Sequence, residues 1–260
     1  MYPELRGRVA LVTGGAIGLG LATAQAFAAA GCHVAIADLD AASAEAAAQQ
    51  LGAAHAGIAC DVSEEDQVDD MVEDTVRRFG RIDIVVNSAG IPDAFKPTLE
   101  QEVAQFRRLV DVHLTGTFMV SRAAARHMLP QGSGAVINIS SVAGVLGLTP
   151  RNAYSAAKAG IGMLTRTLGC EWMAQGVRVN AIAPGYMMTP FARRLIDEGK
   201  IDEARICRRT PAGRFGTAEH IADAMLFLAS DRAAFITGVT LPVDGGYMAW
   251  GAAADASQAM

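Results

Sequence analysis

Tyr154 and Lys158 stand four residues apart in the segment Tyr154-Ser155-Ala156-Ala157-Lys158. On a helix that spacing places a phenol and an ammonium on one face. A phenol becomes a useful base when a nearby cation stabilises its phenolate, so the pair points to proton transfer. Thirteen residues before the tyrosine, Asn138-Ile139-Ser140-Ser141 closes an apolar run and offers hydroxyls that can bind a carbonyl or carbinol oxygen. Y-x-x-x-K recurs in many unrelated helices, and its weight here comes from a second pattern. Thr13-Gly14-Gly15-Ala16-Ile17-Gly18-Leu19-Gly20 follows one short apolar run and opens an Ala-rich stretch. Glycines in such a turn let the backbone approach a pyrophosphate, and the following helix offers free N–H groups and the positive end of its dipole. The spacing is G-x-x-x-G-x-G, not the commoner G-x-G-x-x-G.

The next apolar run ends at Asp38, about 20 residues beyond the glycines, where a carboxylate accepts hydrogen bonds from a ribose. A 2′-phosphate at that place would meet like charge, and no Lys or Arg lies between Arg8 and Asp38 to offset it. NAD is therefore expected over NADP. Two later segments fit the same site. Asp61 and Val62 follow Cys60 where an adenine edge would lie, and Asn87, Ala89 and Gly90 close another apolar run with small residues.

These residues need a scaffold, and the chain alternates short β-branched runs with Ala-rich helical ones. Strands are expected at Val9–Val12, His33–Ala37, His55–Cys60, Ile82–Val86, Ala135–Ile139, Val177–Ile182 and Val239–Pro242. Helices are expected near Leu19–Ala30, Ala41–Leu51, Glu64–Phe79, Leu99–Met128, Ala153–Ala174 and Ala218–Ser230. Continuously apolar strands are buried on both faces, and strand–helix repetition gives a parallel sheet with ligands outside the carboxyl ends. The expected fold class is α/β: a single doubly wound, Rossmann-like parallel sheet of about seven strands with helices on both faces, one domain over residues 1–260. Between Pro184 and Thr217 the rhythm breaks, and a substrate lid is expected around residues 186–216.

Composition excludes several function classes. Apolar residues make up 51% and charged residues 19%, the reverse of a disordered chain. A net charge of −5 argues against a nucleic-acid partner. No Asp, Glu, Lys or Arg occurs from Val9 to Ala37, but Gly14, Gly15, Gly18, Gly20, Thr23, Gln25 and His33 interrupt that run, so a membrane span is not expected there. Cys32, Cys60, Cys170 and Cys207 form no C-x-x-C pair and have no His cluster beside them. They are expected to be small buried thiols in a cytoplasmic protein, with no metal site.

With these motifs together, the chain resembles the short-chain dehydrogenase/reductases, in the branch of roughly 250 residues that carries T-G-x-x-x-G-x-G and Y-x-x-x-K. The resemblance covers Arg6 to about Met248. It implies that Tyr154 is the general acid/base, that Lys158 stabilises its phenolate and binds the nicotinamide ribose, and that Ser141, not Ser140, orients the substrate oxygen. It implies that Gly14, Ile17, Gly18, Leu19 and Gly20 line the cofactor phosphates. It also implies that Pro184, Gly185, Met187 and Thr189 hold the nicotinamide carboxamide, and that the chain forms a homotetramer. One position departs from the family pattern: His113 stands where an asparagine is usual. That asparagine acts through its main-chain carbonyl in a proton relay to the lysine. His113 is expected to keep the relay, and its ring to titrate near neutral pH.

The resemblance implies reversible oxidation of a secondary alcohol with NAD. Pocket lining is expected from residues 91–96, 142–148, 151–152 and 186–191, which mix Val, Leu, Met and Phe with Asp93, Lys96, Arg151 and Asn152. That mixture suits a sugar, polyol or other small hydroxylated compound. Three alternatives stay open: a 3-oxoacyl-thioester reductase of the same family, a sugar-nucleotide epimerase, and a catalytically silent NAD-binding regulator.

Overall fold

A computed structural model describes residues 2–93, 95–252 and 255–258. Seven strands form one sheet: β1 (Val9–Thr13), β2 (His33–Asp38), β3 (Ala56–Ala59), β4 (Ile84–Asn87), β5 (Gly134–Ile139), β6 (Val177–Pro184) and β7 (Thr240–Val243). Their order is β3-β2-β1-β4-β5-β6-β7, and every neighbouring pair is parallel. The order reverses between β1 and β4, and ligand crevices open at such a switch point.

Successive strand residues face opposite layers. Ala10 and Val12 of β1 pack with α1 (Gly18–Ala29), α2 (Ala41–Leu51) and α9 (Ala218–Ala229). Leu11 packs on the other face with α3 (Glu65–Phe79), α5 (Gly116–Gln131) and α6 (Asn152–Trp172). The sheet is thus doubly wound. Helix boundaries follow local chemistry. Asp40 caps α2 by accepting the Ala42 N–H at 3.2 Å. α3 buries Val68, Met71, Val72 and Thr75 at helical spacing, begins with Glu65 and Asp66, and ends with Arg77 and Arg78 before Gly80. That charge order complements the helix dipole.

The long helix expected over Leu99–Met128 is divided. α4 (Val103–Val110) passes through one turn of π-helix at Asp111–Thr115 before α5 begins. The extra residue accompanies a side-chain bond, in which Thr117 Oγ1 donates to the His113 carbonyl at 2.7 Å. Such turns recur at functional sites. The interval expected to hold a lid contains α7 (Pro190–Asp197) and α8 (Glu203–Arg209), closed by paired backbone at Met187 and Gly216. At the end of the described chain, Ala256 is buried in a short helical turn, where no element is expected from composition.

The cysteines are not uniformly buried as expected. Cys32 and Cys60 are, and burial pushes both thiols up to about 12; Cys170 is exposed on α6. No helix among the described residues is long and apolar enough to cross a membrane.

Candidate active site

The glycine turn lies where β1 meets β4. Thr13 Oγ1 accepts the N–H groups of Ser88 and Ala89, each at 3.2 Å, tying the two strand ends together. Gly14 has φ +59°, and a Cβ there would sit 2.7 Å from the Ala89 Cα. A side chain at residue 14 would force the strand ends apart. Ile17 is the N-cap of α1 and offers no side-chain acceptor to the N–H groups of Gly18, Leu19 and Gly20. The first turn of α1 is therefore suited to phosphate. Asp38 closes the rim, with its carboxylate accepting the Ala16 N–H at 3.1 Å. Its neighbours Ile17 and Leu39 are exposed and uncharged. These residues fit a dinucleotide.

The two later segments differ in what they present. The Asp61 carboxylate is engaged by Ser63 and by Arg108 of α4 at 2.9 Å. Burial pushes its pKa up, but Ser63 and Arg108 outweigh that and hold it below the ordinary value. Val62 is buried against α5. Asn87 turns its side chain into the protein, where its amide donates to Ser121 at 3.0 Å and to Asn138 at 2.8 Å, and Asn138 donates to Thr165 at 2.9 Å. What residues 87, 89 and 90 offer a cofactor is therefore backbone.

The residues expected to transfer the proton lie together at the end of β5. Ser141 is held by the Ala143 N–H, which its Oγ accepts at 3.1 Å; its own O–H proton is not used in that bond. Ser140 turns the other way and donates to the Lys158 carbonyl at 2.9 Å. Tyr154 and Lys158 share a face of α6, with Nζ 5.6 Å from the tyrosine ring centroid. Nζ donates to the Ile139 carbonyl at 2.6 Å, which fixes the ammonium to the strand that carries Ser141. Burial, and then repulsion from Arg151, push Lys158 down to about 7. On the far wall, Gly185 donates to the Val243 carbonyl at 3.0 Å and follows Pro184 at the end of β6. Thr189 caps α7, accepting the Ala192 N–H at 3.1 Å. A cleft of about 420 Å³ joins Gly18, Leu21 and Ala22 to Met188, Thr189 and Pro190, so the glycine turn faces this wall.

Comparisons with known proteins agree with that geometry. A family model described as enoyl-(acyl carrier protein) reductase, of the short-chain alcohol dehydrogenase type, matches residues 14–248. The chain is 41% identical over 244 residues to a cis-4-hydroxycyclohexanecarboxylate dehydrogenase of Sinomonas cyclohexanicum, covering 93% of this chain and 97% of that one. It belongs to the short-chain dehydrogenase/reductase family. It is 42% identical to an uncharacterised short-chain type dehydrogenase/reductase of Sinorhizobium fredii, of whose length it spans 44%. Among solved structures, NAD+-bound xylitol dehydrogenase superposes with TM-score 0.90 at 33% identity, covering 94% of this chain and all of that one. A gluconate 5-dehydrogenase of Burkholderia cenocepacia in complex with NADP and tartrate gives TM-score 0.90 at 37% identity, covering 96% and 99%. As a family member, the protein is an oxidoreductase that acts on CH–OH groups with a nicotinamide cofactor.

In this short-chain dehydrogenase/reductase, His113 departs from the sequence expectation. Its ring does not titrate near neutrality. Burial, and then the positive charge of Lys158, push it down to about 3. Nε2 lies 3.0 Å from both the N–H and the carbonyl of Ile91, and the ring stands edge-on to Tyr154 at 5.5 Å. A Cβ at Gly90 would come within 2.5 Å of the ring, so the glycine makes room for the histidine. The His113 carbonyl, which carries the expected relay, accepts from Thr117 and keeps a second lone pair.

The sign of the linkage follows. The folded value lies below the ordinary 6.5, so the unfolded state binds more protons between about pH 6.5 and 3. The His113 contribution to stability is present above that window and is lost as pH falls through it, by at most about 1.4 kcal/mol per pH unit. His113→Asn removes this loss. Denaturant midpoints measured from pH 7 to 4 should therefore fall less steeply in the variant than in the wild type, and equal slopes would refute a neutral buried ring.

Sequence reasoning placed Arg151 and Asp93 among pocket-lining residues without showing that they pair, 3.6 Å apart. It included Phe95 in the expected lining but did not single out Tyr247. The Arg151 guanidinium carbon lies 4.0 Å from the Tyr154 ring centroid and 5.0 Å from that of Phe95. Tyr186 packs on Phe215 at 5.8 Å and on Tyr247 at 5.4 Å. Ala94, within the expected pocket lining, lies outside the described residues. A separate hollow of about 470 Å³ at the amino-terminal ends of the central strands is lined by Arg8, Arg81, Asp83, Arg178 and Asp231. Its charges are taken up structurally: Arg81 pairs with Asp83, Arg8 with Asp231, and Arg178 donates to the last carbonyls of α9.

Proposed function

We propose that this chain catalyses the reversible, NAD-dependent oxidation of a secondary alcohol to a ketone on a small hydroxylated compound. The observation that carries the reading is the convergence of Ser141, Tyr154 and Lys158 at the end of β5, beside a glycine turn rimmed by Asp38. When bound, the nicotinamide supplies the hydride acceptor. Gly14, Ile17, Gly18, Leu19, Gly20 and Asp38 hold the adenosine half, with backbone contributions at Asn87, Ala89 and Gly90 and the Asp61–Val62 corner at the adenine edge. Pro184, Gly185, Met187 and Thr189 hold the other end. Ser141 donates its O–H to the substrate oxygen. Tyr154 takes the hydroxyl proton, and Lys158 stabilises the phenolate and passes the proton toward solvent past the His113 carbonyl.

NAD is favoured over NADP by the acidic rim and by the uncharged Ile17 and Leu39 beside it. The substrate class is supported by relatives that act on a ring alcohol and on xylitol. Residues 186–216 serve as the substrate lid of a single cytoplasmic domain. The exposed Phe106, Phe118 and Met163 on α4, α5 and α6 suit burial in a homotetramer.

The deciding experiment measures kcat/KM for polyols, aldoses, cyclic alcohols and acetoacetyl thioesters with NAD and NADP. NAD-linked oxidation of a polyol or cyclic alcohol is the expected result. Preference for a thioester with NADPH would replace this reading by the thioester reductase. NAD binding without turnover of any compound would leave the silent regulator.

A further inference from the structure

Arg151 is the last residue before α6 and lies three residues ahead of Tyr154. Its guanidinium lies over the rings of Tyr154 and Phe95, at 4.0 Å and 5.0 Å from their centroids. The partner carboxylate of Asp93 is buried, yet it approaches Nε only to 3.6 Å, too far for a hydrogen bond, and Nε has no hydrogen-bond partner among the described residues. A guanidinium carries five N–H donors in a fork that matches a carboxylate edge-on. Asp93 leaves that fork unused at Nε. Phe95 holds its ring against the cation from a left-handed backbone, with φ 52°. That conformation costs energy for a bulky residue. The charge of Arg151 also reaches the reaction centre, where it disfavours the protonated forms of Lys158 and His113. Its surroundings are aromatic: the rings of Tyr154 and Phe95 lie against it, and its charge acts on Tyr186, which packs on Phe215 and Tyr247.

A neutral polyol uses none of this. It has no charge for the guanidinium and little apolar surface for the rings. We propose that Arg151 is the anion-recognition residue of the substrate pocket and that the preferred substrates are compact hydroxy acids. The carboxylate takes the guanidinium fork in place of Asp93, and the hydrocarbon body lies against Phe95 and Tyr186. The hydroxyl reaches Ser141 and Tyr154 a few carbons away. Arg151 thus sets specificity by positioning the substrate and takes no part in proton transfer. An anion seated there also screens Lys158 from the guanidinium and favours its protonated form. This inference rests on the dehydrogenase reading, and its test separates the two.

The test compares 4-hydroxycyclohexanecarboxylate with its carboxamide, using the wild type, Arg151→Met, Arg151→Lys and Asp93→Asn. The wild type should prefer the carboxylate by about 10- to 100-fold in kcat/KM, the size of a charge-assisted pair, chiefly through KM. Arg151→Met should collapse that ratio towards one, and Arg151→Lys should keep part of it. Asp93→Asn should raise carboxylate affinity, a direction that misfolding does not produce. Calorimetry with cyclohexanecarboxylate and cyclohexanecarboxamide, which have no hydroxyl, repeats the comparison without turnover, with and without NADH. Equal treatment of acid and amide by the wild type overturns the inference, as does a ratio that survives in Arg151→Met. If neither hydroxy compound nor any polyol or aldose turns over but calorimetry shows an Arg151-dependent preference for the acid, the anion site stands and the dehydrogenase reading falls. If the amide and other neutral alcohols turn over with no preference for the acid, the reverse holds.

Discussion

Replacing Tyr154 by phenylalanine is expected to lower kcat by about 10²- to 10⁴-fold, the range contributed by a positioned acid/base group, while NAD binding stays close to wild type. The two effects separate because the substitution removes one oxygen and keeps the ring. The ring is what packs edge-on to His113 at 5.5 Å and what lies under the Arg151 guanidinium at 4.0 Å. No cavity opens, so the helix that carries Lys158 keeps its place. Lys158 remains fixed to the Ile139 carbonyl, and the glycine turn, on another part of the sheet, is untouched. Single-turnover absorbance at the nicotinamide band and calorimetric NAD binding check the two halves. Near-normal turnover in the variant would remove Tyr154 from the mechanism. Ser141→Ala should also lower kcat. Combined with Tyr154→Phe it should cost far less than the product of the single effects, because groups that act as a unit are non-additive.

The second large effect concerns the cofactor. Asp38→Ser together with Leu39→Arg should shift the NAD/NADP ratio of kcat/KM by about 10³-fold towards NADP, since each charge change carries the 1.5–3 kcal/mol of a charged hydrogen bond. The structure makes this a clean exchange. Leu39 is 66% exposed, so an arginine there disturbs no core, and Asp38 holds one backbone N–H, that of Ala16. Steady-state kinetics with both cofactors at fixed salt and saturating alcohol measure the shift. A wild type that already favours NADP, or a variant with an unmoved ratio, would show that the rim does not read the ribose.

The sheet and the glycine turn were legible in the sequence because both are written locally. A continuously apolar run such as Ile84–Val86 has no option except burial on both faces, and a Gly-rich turn after such a run has few other uses. The pairing of Tyr154 with Lys158 and Ser141 was legible for the same reason, as spacings within a helix and along one strand end. The rest was not, and each case is a matter of context. The apolar and polar spacing of Leu99–Met128 is the same for an unbroken helix as for one with a π turn, so the turn at Asp111–Thr115, which the Thr117 bond to the His113 carbonyl accompanies, was not visible in it. The titration expected of His113 followed from an exposed imidazole, and the ring is buried beside Lys158. Arg151 and Asp93 are 58 positions apart in sequence, so their meeting over Tyr154 depends on tertiary structure.

The buried amides of Asn87 and Asn138 carry a consequence for how the two halves of the sheet find each other. Ile84, Val85 and Val86 of β4 run beside Ala135, Val136 and Ile137 of β5, and both strands are apolar on both faces. Hydrophobic burial alone therefore gives little penalty for sliding one strand along the other. Asn87 and Asn138 stand directly opposite each other in the native alignment and bond at 2.8 Å, with Ser121 and Thr165 completing the chain. A slip of one residue would strand these amides in an apolar layer without partners, at roughly 1–3 kcal/mol for each group left unpaired. The pair acts as a registration key: it keeps Ser141 at the mouth of the crevice, where a sheet assembled on greasiness alone could leave it one position out.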